Sequence, residues 1–141
     1  MKFRKVEDGF LVKLDKGDEV ISTLTGFVKD QNIPSGFMTG MGSVKNATIG
    51  IFNARVNQYI TKIYRDELEV GNLSGNIAWL EDSGEPFIHC HITVSNESLE
   101  AYTGHLFEAT VLATMEIYIR VFKERLYRRV DPEMGNHLWH L

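Results

Sequence analysis

The sequence has little cysteine and no long apolar segment. Its 141 residues include one cysteine, Cys90, so no internal disulfide can form. Because secreted domains of this size often carry several disulfides, we expect a reducing, cytoplasmic location. The longest apolar run, residues 77–80, is far shorter than the roughly 20 residues needed to span a bilayer. A soluble protein without a membrane segment is expected.

The chain also lacks an excess of positive charge. It has 15 Lys and Arg against 19 Asp and Glu, a formal net charge of −4. No overall positive field is therefore available to attract nucleic acid, and any contact with phosphates needs a local patch. A solvated edge strand or a phosphate-binding patch would explain the one basic cluster, which contains Lys123, Arg125, Arg128 and Arg129.

Proline is scarce, and nothing in the sequence marks a linker. The three prolines are dispersed, and no repeat or low-complexity segment is present. With 43% hydrophobic residues, the chain can form one core. We expect a single domain over residues 1–130, followed by a tail over 131–141 that frays or docks on a neighbouring subunit.

One helix is predicted near the start of the chain. Asp18 is the expected N-cap, and Glu19 favours the positive helix end. Residues 32–34, which end in Pro34, should stop the helix. Its apolar face consists of Val20, Ile21, Leu24, Phe27 and Val28.

The rest of the chain reads as strands with short connections. We expect an α+β domain in which the early helix packs on a mostly antiparallel sheet. The opposite face of the sheet must then be shielded from solvent in another way, and packing against other subunits is one such way. The predicted strands are residues 9–14, 35–41, 47–53, 58–67, 71–80, 86–94, 99–105, 109–122 and 125–130.

The most informative segment is residues 86–94. In a strand, Ile88, Cys90, Ile92 and Val94 share one face, so His89 and His91 project together from the other. Their Cα atoms should be roughly 6.5–7 Å apart. Imidazoles at this spacing can share one metal ion. Cys90, on the core face, is expected to be an inert packing residue.

His105 is the candidate third ligand. A hairpin through residues 95–98 would return it beside the first strand, although a register slip of one residue would turn it to the wrong face. Three neutral imidazoles suit zinc, copper, nickel or iron and leave one coordination position open. The alternative is a set of half-exposed polar histidines without a metal. Among the carboxylates, Glu69 and Glu116 are candidate proton acceptors, each also explicable as a surface residue.

Five motifs in this order resemble the PPC domain, the plant and prokaryote conserved domain, over roughly residues 5–130. The resemblance implies a trimeric α+β protein in which His89, His91 and His105 bind a metal such as zinc. Plant members bind DNA with an AT-hook, which this chain lacks. The motifs are GMGS at 40–43, LEVGNLSGNI at 68–77, PFIHCH at 86–91, GHL at 104–106 and TMEI at 114–117.

Three functions remain open on the sequence. The first is a regulatory module that contacts DNA or another protein. The second is a zinc-dependent enzyme for a small molecule, in which the metal activates water. The third is a structural role, in which the metal only holds subunits or loops in place. We expect the first and keep the enzyme as the alternative.

Overall fold

A computed structural model describes all 141 residues, which form nine strands and one helix. The α+β class is as expected, with strands in large excess. In chain order the elements are β1 (Lys2–Val6), β2 (Gly9–Asp15), α1 (Val20–Asp30), β3 (Ser35–Asn53), β4 (Gln58–Tyr64), β5 (Leu68–Leu80), β6 (Pro86–Ser95), β7 (Ala101–Phe122), β8 (Tyr127–Val130) and β9 (His137–His140).

The helix lies where the apolar stripe predicts it, but its cap differs. Glu19 is the N-cap, and its carboxylate accepts hydrogen bonds from the backbone N–H groups of Ile21 and Ser22. Asp18, the expected cap, accepts instead from the backbone N–H of Asp15 at 2.9 Å. The prediction of Asp18 as the cap is therefore wrong, because its carboxylate closes the turn that precedes the helix.

Four of the predicted strands merge into two long strands in the structure. Residues 35–41 and 47–53 belong to β3, and the two segments on either side of residues 106–108 belong to β7. The register of β3 against its neighbours shifts at Gly42, so the strand continues through a bulge. Gly42 has a φ of 152°, and a Cβ there would lie 2.1 Å from the Thr114 carbonyl oxygen. A close backbone approach thus explains the glycine.

Nearly all strand pairs are antiparallel, in the order β1-β2-β7-β3-β5-β8-β9, with β8 parallel to β5. β4 extends from β3, whereas β6 pairs with both β5 and β7. Because β3 also pairs with both β5 and β7, these four strands form a closed circuit of backbone pairing. The core lies between this circuit, β2 and the buried face of α1.

Two strands lie outside the predicted elements. β1 is a mostly exposed edge strand that pairs with β2. β9 lies in the C-terminal tail and pairs with β8 through contacts such as Arg128 opposite Trp139. No helix in the protein combines the length and apolarity needed to cross a bilayer.

Candidate metal centre

β6 separates its side chains as the alternation predicts. Ile88, Cys90, Ile92 and Val94 are buried in the core. Burial raises the pKa of the Cys90 thiol to about 12, which fits a packing residue and not a nucleophile. His89 and His91 therefore lie on the opposite face, outside the core.

The third histidine joins them through the register of β6 and β7. His91 lies directly opposite His105 in the antiparallel pair. The next residue back in β7, Gly104, packs so closely on β3 that a Cβ would lie 2.6 Å from the Gly50 carbonyl oxygen. This close approach holds His105 between β6 and β3. The predicted face and the predicted pairing of the histidines are both confirmed.

The three imidazoles form one compact cluster. Their ring centroids are 5.1 to 5.6 Å apart, and one ring nitrogen of each lies within 4.8 Å of the other two. Burial, aided by the nearby Arg128 charge, lowers the pKa of His89 to about 4. Burial and the two neighbouring histidines lower the pKa of His105 to about 4. Both rings are therefore neutral at pH 7, the form that binds metal.

The residues present fit a divalent transition metal. Nδ1 of His105 is buried and has no hydrogen-bond partner, which is unusual for a polar atom in a folded protein. No other histidine, cysteine or acidic side chain belongs to the cluster. Three imidazoles with one unpartnered buried nitrogen constitute a donor set suited to zinc, copper, nickel or iron.

Arg128 is a part of this site that the sequence did not indicate. Only 5% of its surface is exposed, and Nη2 donates to Nδ1 of His89 at 3.1 Å. Nη2 also donates to Oδ1 of Asn76 at 2.8 Å, and Nη1 donates to the His137 carbonyl oxygen at 2.6 Å. Strand alternation places Arg128 and Arg129 on opposite faces, but nothing local indicates which of them is buried.

A cavity of about 340 Å³ opens beside the histidines. β8 and β9 form one wall of the cavity through Arg128, His137 and Leu138. The ring of Tyr59 lies 5.2 Å from that of His105. The cavity thus combines one cation with mainly apolar and aromatic walls, and it borders two of the three histidines.

The two candidate proton acceptors lie elsewhere. Glu116 is in β7, eleven residues beyond His105, and is paired with Met41 and Lys13. Glu69 is paired with Ser95 at the far end of β6 from His89. Both carboxylates are exposed. The structure does not bring either of them to the histidines.

The basic cluster is divided among different surroundings. Lys123 is exposed, and Arg125 lies over the Trp79 ring at 4.0 Å. Arg129 forms an ion pair with Glu81. Arg128 contradicts the expected solvated edge strand, because β9 covers it and its guanidinium faces the histidines. These four side chains do not form one exposed patch.

Comparison with solved structures gives close matches over the whole chain. A candidate DNA-binding protein from Bacteroides thetaiotaomicron has a TM-score of 0.93 and 28% identity, covering 99% of this chain and 96% of its own. A candidate DNA-binding protein from Ralstonia eutropha has a TM-score of 0.89 and 36% identity, with the same coverage. A protein described as metal-containing, from Archaeoglobus fulgidus, has a TM-score of 0.86, 31% identity and 100% coverage of both chains.

No curated protein matches this chain. The family model of the Plants and Prokaryotes Conserved (PCC) domain matches residues 1–123. This segment includes the helix, the closed circuit of strands and all three histidines. The chain therefore belongs to the Plants and Prokaryotes Conserved domain family, as the order of its motifs indicates.

Proposed function

We propose that this protein binds one divalent transition metal per chain through His89, His91 and His105. The observation that carries the proposal is the convergence of three ring nitrogens within 4.8 Å, one of them buried without a partner. A relative of 31% identity is described as metal-containing, which is consistent with such a site. Zinc is the first ion to test, because three histidines hold it while leaving a position for a ligand.

The test is elemental analysis of untagged protein purified without added metal. About one ion per chain supports the proposal, and a metal-free protein that also takes up no zinc, copper, nickel or iron on dialysis contradicts it. The same measurement in the presence of chelator, combined with light scattering, separates a structural role from a ligand-binding role. If the metal only holds the subunits together, chelator should remove the ion and dissociate the oligomer at the same time.

We further propose that the protein is a homotrimer, as the family resemblance implies. Large apolar side chains are exposed on the β3–β4 hairpin, where Ile51, Ile60 and Ile63 are each more than half exposed. Met41 in β3 is 62% exposed. Surface of this kind is typical of interfaces. Light scattering should give about three times the chain mass of 16.1 kDa, and a monomer or dimer would contradict the trimer.

The proposed role is regulatory and associated with DNA. Two relatives are described as candidate DNA-binding proteins. Lys123 and Arg125 are exposed in this chain without an ion pair and are the candidate phosphate contacts, whereas Arg129 is already paired with Glu81. A gel-shift titration at two salt concentrations tests this role, because binding through phosphates weakens steeply with salt. Absence of binding at low salt contradicts direct DNA contact and leaves a protein partner.

A metal-dependent enzyme is the second candidate. The observation in its favour is the cavity of about 340 Å³ that borders His89 and His105 and is lined by Tyr59 and Arg128. A purely structural ion does not need such a cavity. The candidate acceptors Glu69 and Glu116 lie away from it, whereas Tyr59 lines it with its ring 5.2 Å from that of His105 and is the candidate side chain to move a proton. Metal-dependent turnover in a screen of small esters and acids, abolished by Tyr59→Phe, would favour the enzyme.

A further inference from the structure

Arg128 is a buried cation that no anion neutralises. None of the ion pairs in the protein includes it. Its hydrogen-bond partners are the side-chain oxygen of Asn76, the backbone carbonyl oxygen of His137 and a ring nitrogen of His89, while its Nε is buried without any partner. A buried charge is costly unless an opposite charge compensates it. The site therefore lacks one negative group beside the histidines.

The hydrogen bond from Arg128 to His89 is incompatible with an ion on His89. A neutral imidazole has one nitrogen that accepts and one that donates. Arg128 uses Nδ1 of His89 as the acceptor. If an ion binds at Nδ1, it takes the same lone pair; if it binds at Nε2, Nδ1 carries the proton and cannot accept. In either case one N–H of Arg128 is released beside the ion.

We propose that Arg128 anchors a small organic carboxylate at the mouth of the histidine site. This inference rests on the metal site proposed above and names the class of ligand that the site accepts. One guanidinium without a neighbouring lysine matches the single charge of a carboxylate better than the double charge of a phosphate. The walls around it, which include Phe87, Phe107 and Leu138, match a short apolar or aromatic body.

The neighbouring arginine illustrates the kind of partner that Arg128 lacks. Nε and Nη2 of Arg129 donate to the two carboxylate oxygens of Glu81. Arg129 lies on the opposite, exposed face of β8. The two arginines thus lie in the same strand, but the protein supplies a carboxylate to Arg129 and none to Arg128. Arg129 is therefore the matched control for Arg128.

The test is calorimetric titration of benzoate into zinc-loaded protein, with benzamide as the uncharged ligand of the same shape. Benzoate should bind at least about tenfold more tightly than benzamide, because a hydrogen bond to a charged partner contributes that much. Arg128→Gln should remove this preference, and Arg129→Gln should retain it. Equal binding of benzoate and benzamide, equal affinity of Arg128→Gln and wild type for benzoate, or tighter binding of inorganic phosphate would overturn the proposal.

A second titration tests the proposal in the wild-type protein alone, so its result does not depend on whether Arg128→Gln folds. In the wild-type protein, saturating benzoate should tighten zinc binding by the same factor by which zinc tightens benzoate binding, at least about tenfold. Independence of the two affinities would overturn the coupling. Failure to take up zinc would contradict the proposed metal site instead. Benzoate and benzamide in the metal-free protein would then still decide whether Arg128 binds an anion.

Discussion

The two faces of β6 differ in composition and burial, although their residues alternate along one ten-residue strand. On one face, Ile88, Cys90, Ile92 and Val94 pack in the core. On the other, His89 and His91 form a cluster with His105, and a cavity borders His89 and His105. In this strand the parity of a position decides whether its side chain contributes to stability or to ligand binding. Substitutions on neighbouring residues should therefore affect different measurements.

The largest effect on stability is expected from the core face. Ile92→Ala should lower the free energy of unfolding by about 2–5 kcal/mol, because it removes a buried side chain and leaves a cavity. His91→Ala, one residue away and exposed, should change it by less than about 1 kcal/mol in metal-free protein. Urea unfolding at one fixed protein concentration measures both. A larger loss from His91→Ala would contradict the division between the faces.

The largest effect on metal content is expected from the other face. His91→Ala should reduce the bound metal from about one ion per chain to nearly none, because it removes one of three ligands. Thr93→Ala is the control on the same face, since Thr93 bonds to Thr103 and not to the cluster. Elemental analysis of both variants decides the matter. Unchanged metal in His91→Ala, with a native circular dichroism spectrum, would contradict the three-histidine site.

The pH dependence of stability should report on the two half-buried histidines of the cluster, His89 and His105. The pKa of His89 and of His105 falls from 6.5 to about 4 in the folded protein. Between these values the unfolded chain binds more protons than the folded one, so stability decreases as the pH falls from about 6.5 to about 4. Below pH 4 these two residues cause no further loss.

Urea midpoints of the metal-free protein at pH 7, 5.5 and 4 test this dependence. The double variant His89→Ala, His105→Ala should lose part of the decrease. Thr93→Ala, on the same face of β6, removes no ionisable group and should keep all of it. An identical pH profile in wild type and the double variant would show that the decrease comes from other groups.

The smallest effect is expected from the exposed ion pair of Arg129 and Glu81. Their side chains are 50% and 44% exposed. Arg129→Gln should lower the free energy of unfolding by less than about 1 kcal/mol, and the difference should shrink in high salt. Denaturant midpoints at two salt concentrations measure it. A salt-independent loss of several kcal/mol would mean that Arg129 is not the exposed member of the arginine pair.

The sequence predicts those features that depend on local patterns. The helix follows from an apolar stripe over Val20–Asp30, and the histidine face follows from strict alternation in β6. The opposition of His91 and His105 follows because a short hairpin connects their strands. Each of these features is specified within about twenty residues of sequence.

Features that depend on distant partners could not be predicted in the same way. Arg128 is buried because β8 pairs in parallel with β5, at Trp79 opposite Tyr127 and Leu80 opposite Arg128. These contacts join residues almost fifty positions apart, and no local pattern of charge or hydrophobicity encodes them. The continuity of β3 through Gly42 could not be predicted locally either. Glycine-rich segments also form turns, so the GMGS motif does not distinguish a turn from a bulge within one strand. Whether the cluster binds a metal stays a prediction.

The position of Arg128 beyond residue 123 has a consequence for how this family can diversify. The family model ends at residue 123, before β8 and β9, whereas all three histidines lie inside it. One wall of the cavity, formed by Arg128, His137 and Leu138, therefore lies beyond the segment that the family model matches. Exchange of residues 124–141 between relatives would change the charge and shape of this wall while every imidazole stayed in place. Replacement of this C-terminal hairpin alone would thus alter the cavity without altering the three histidines.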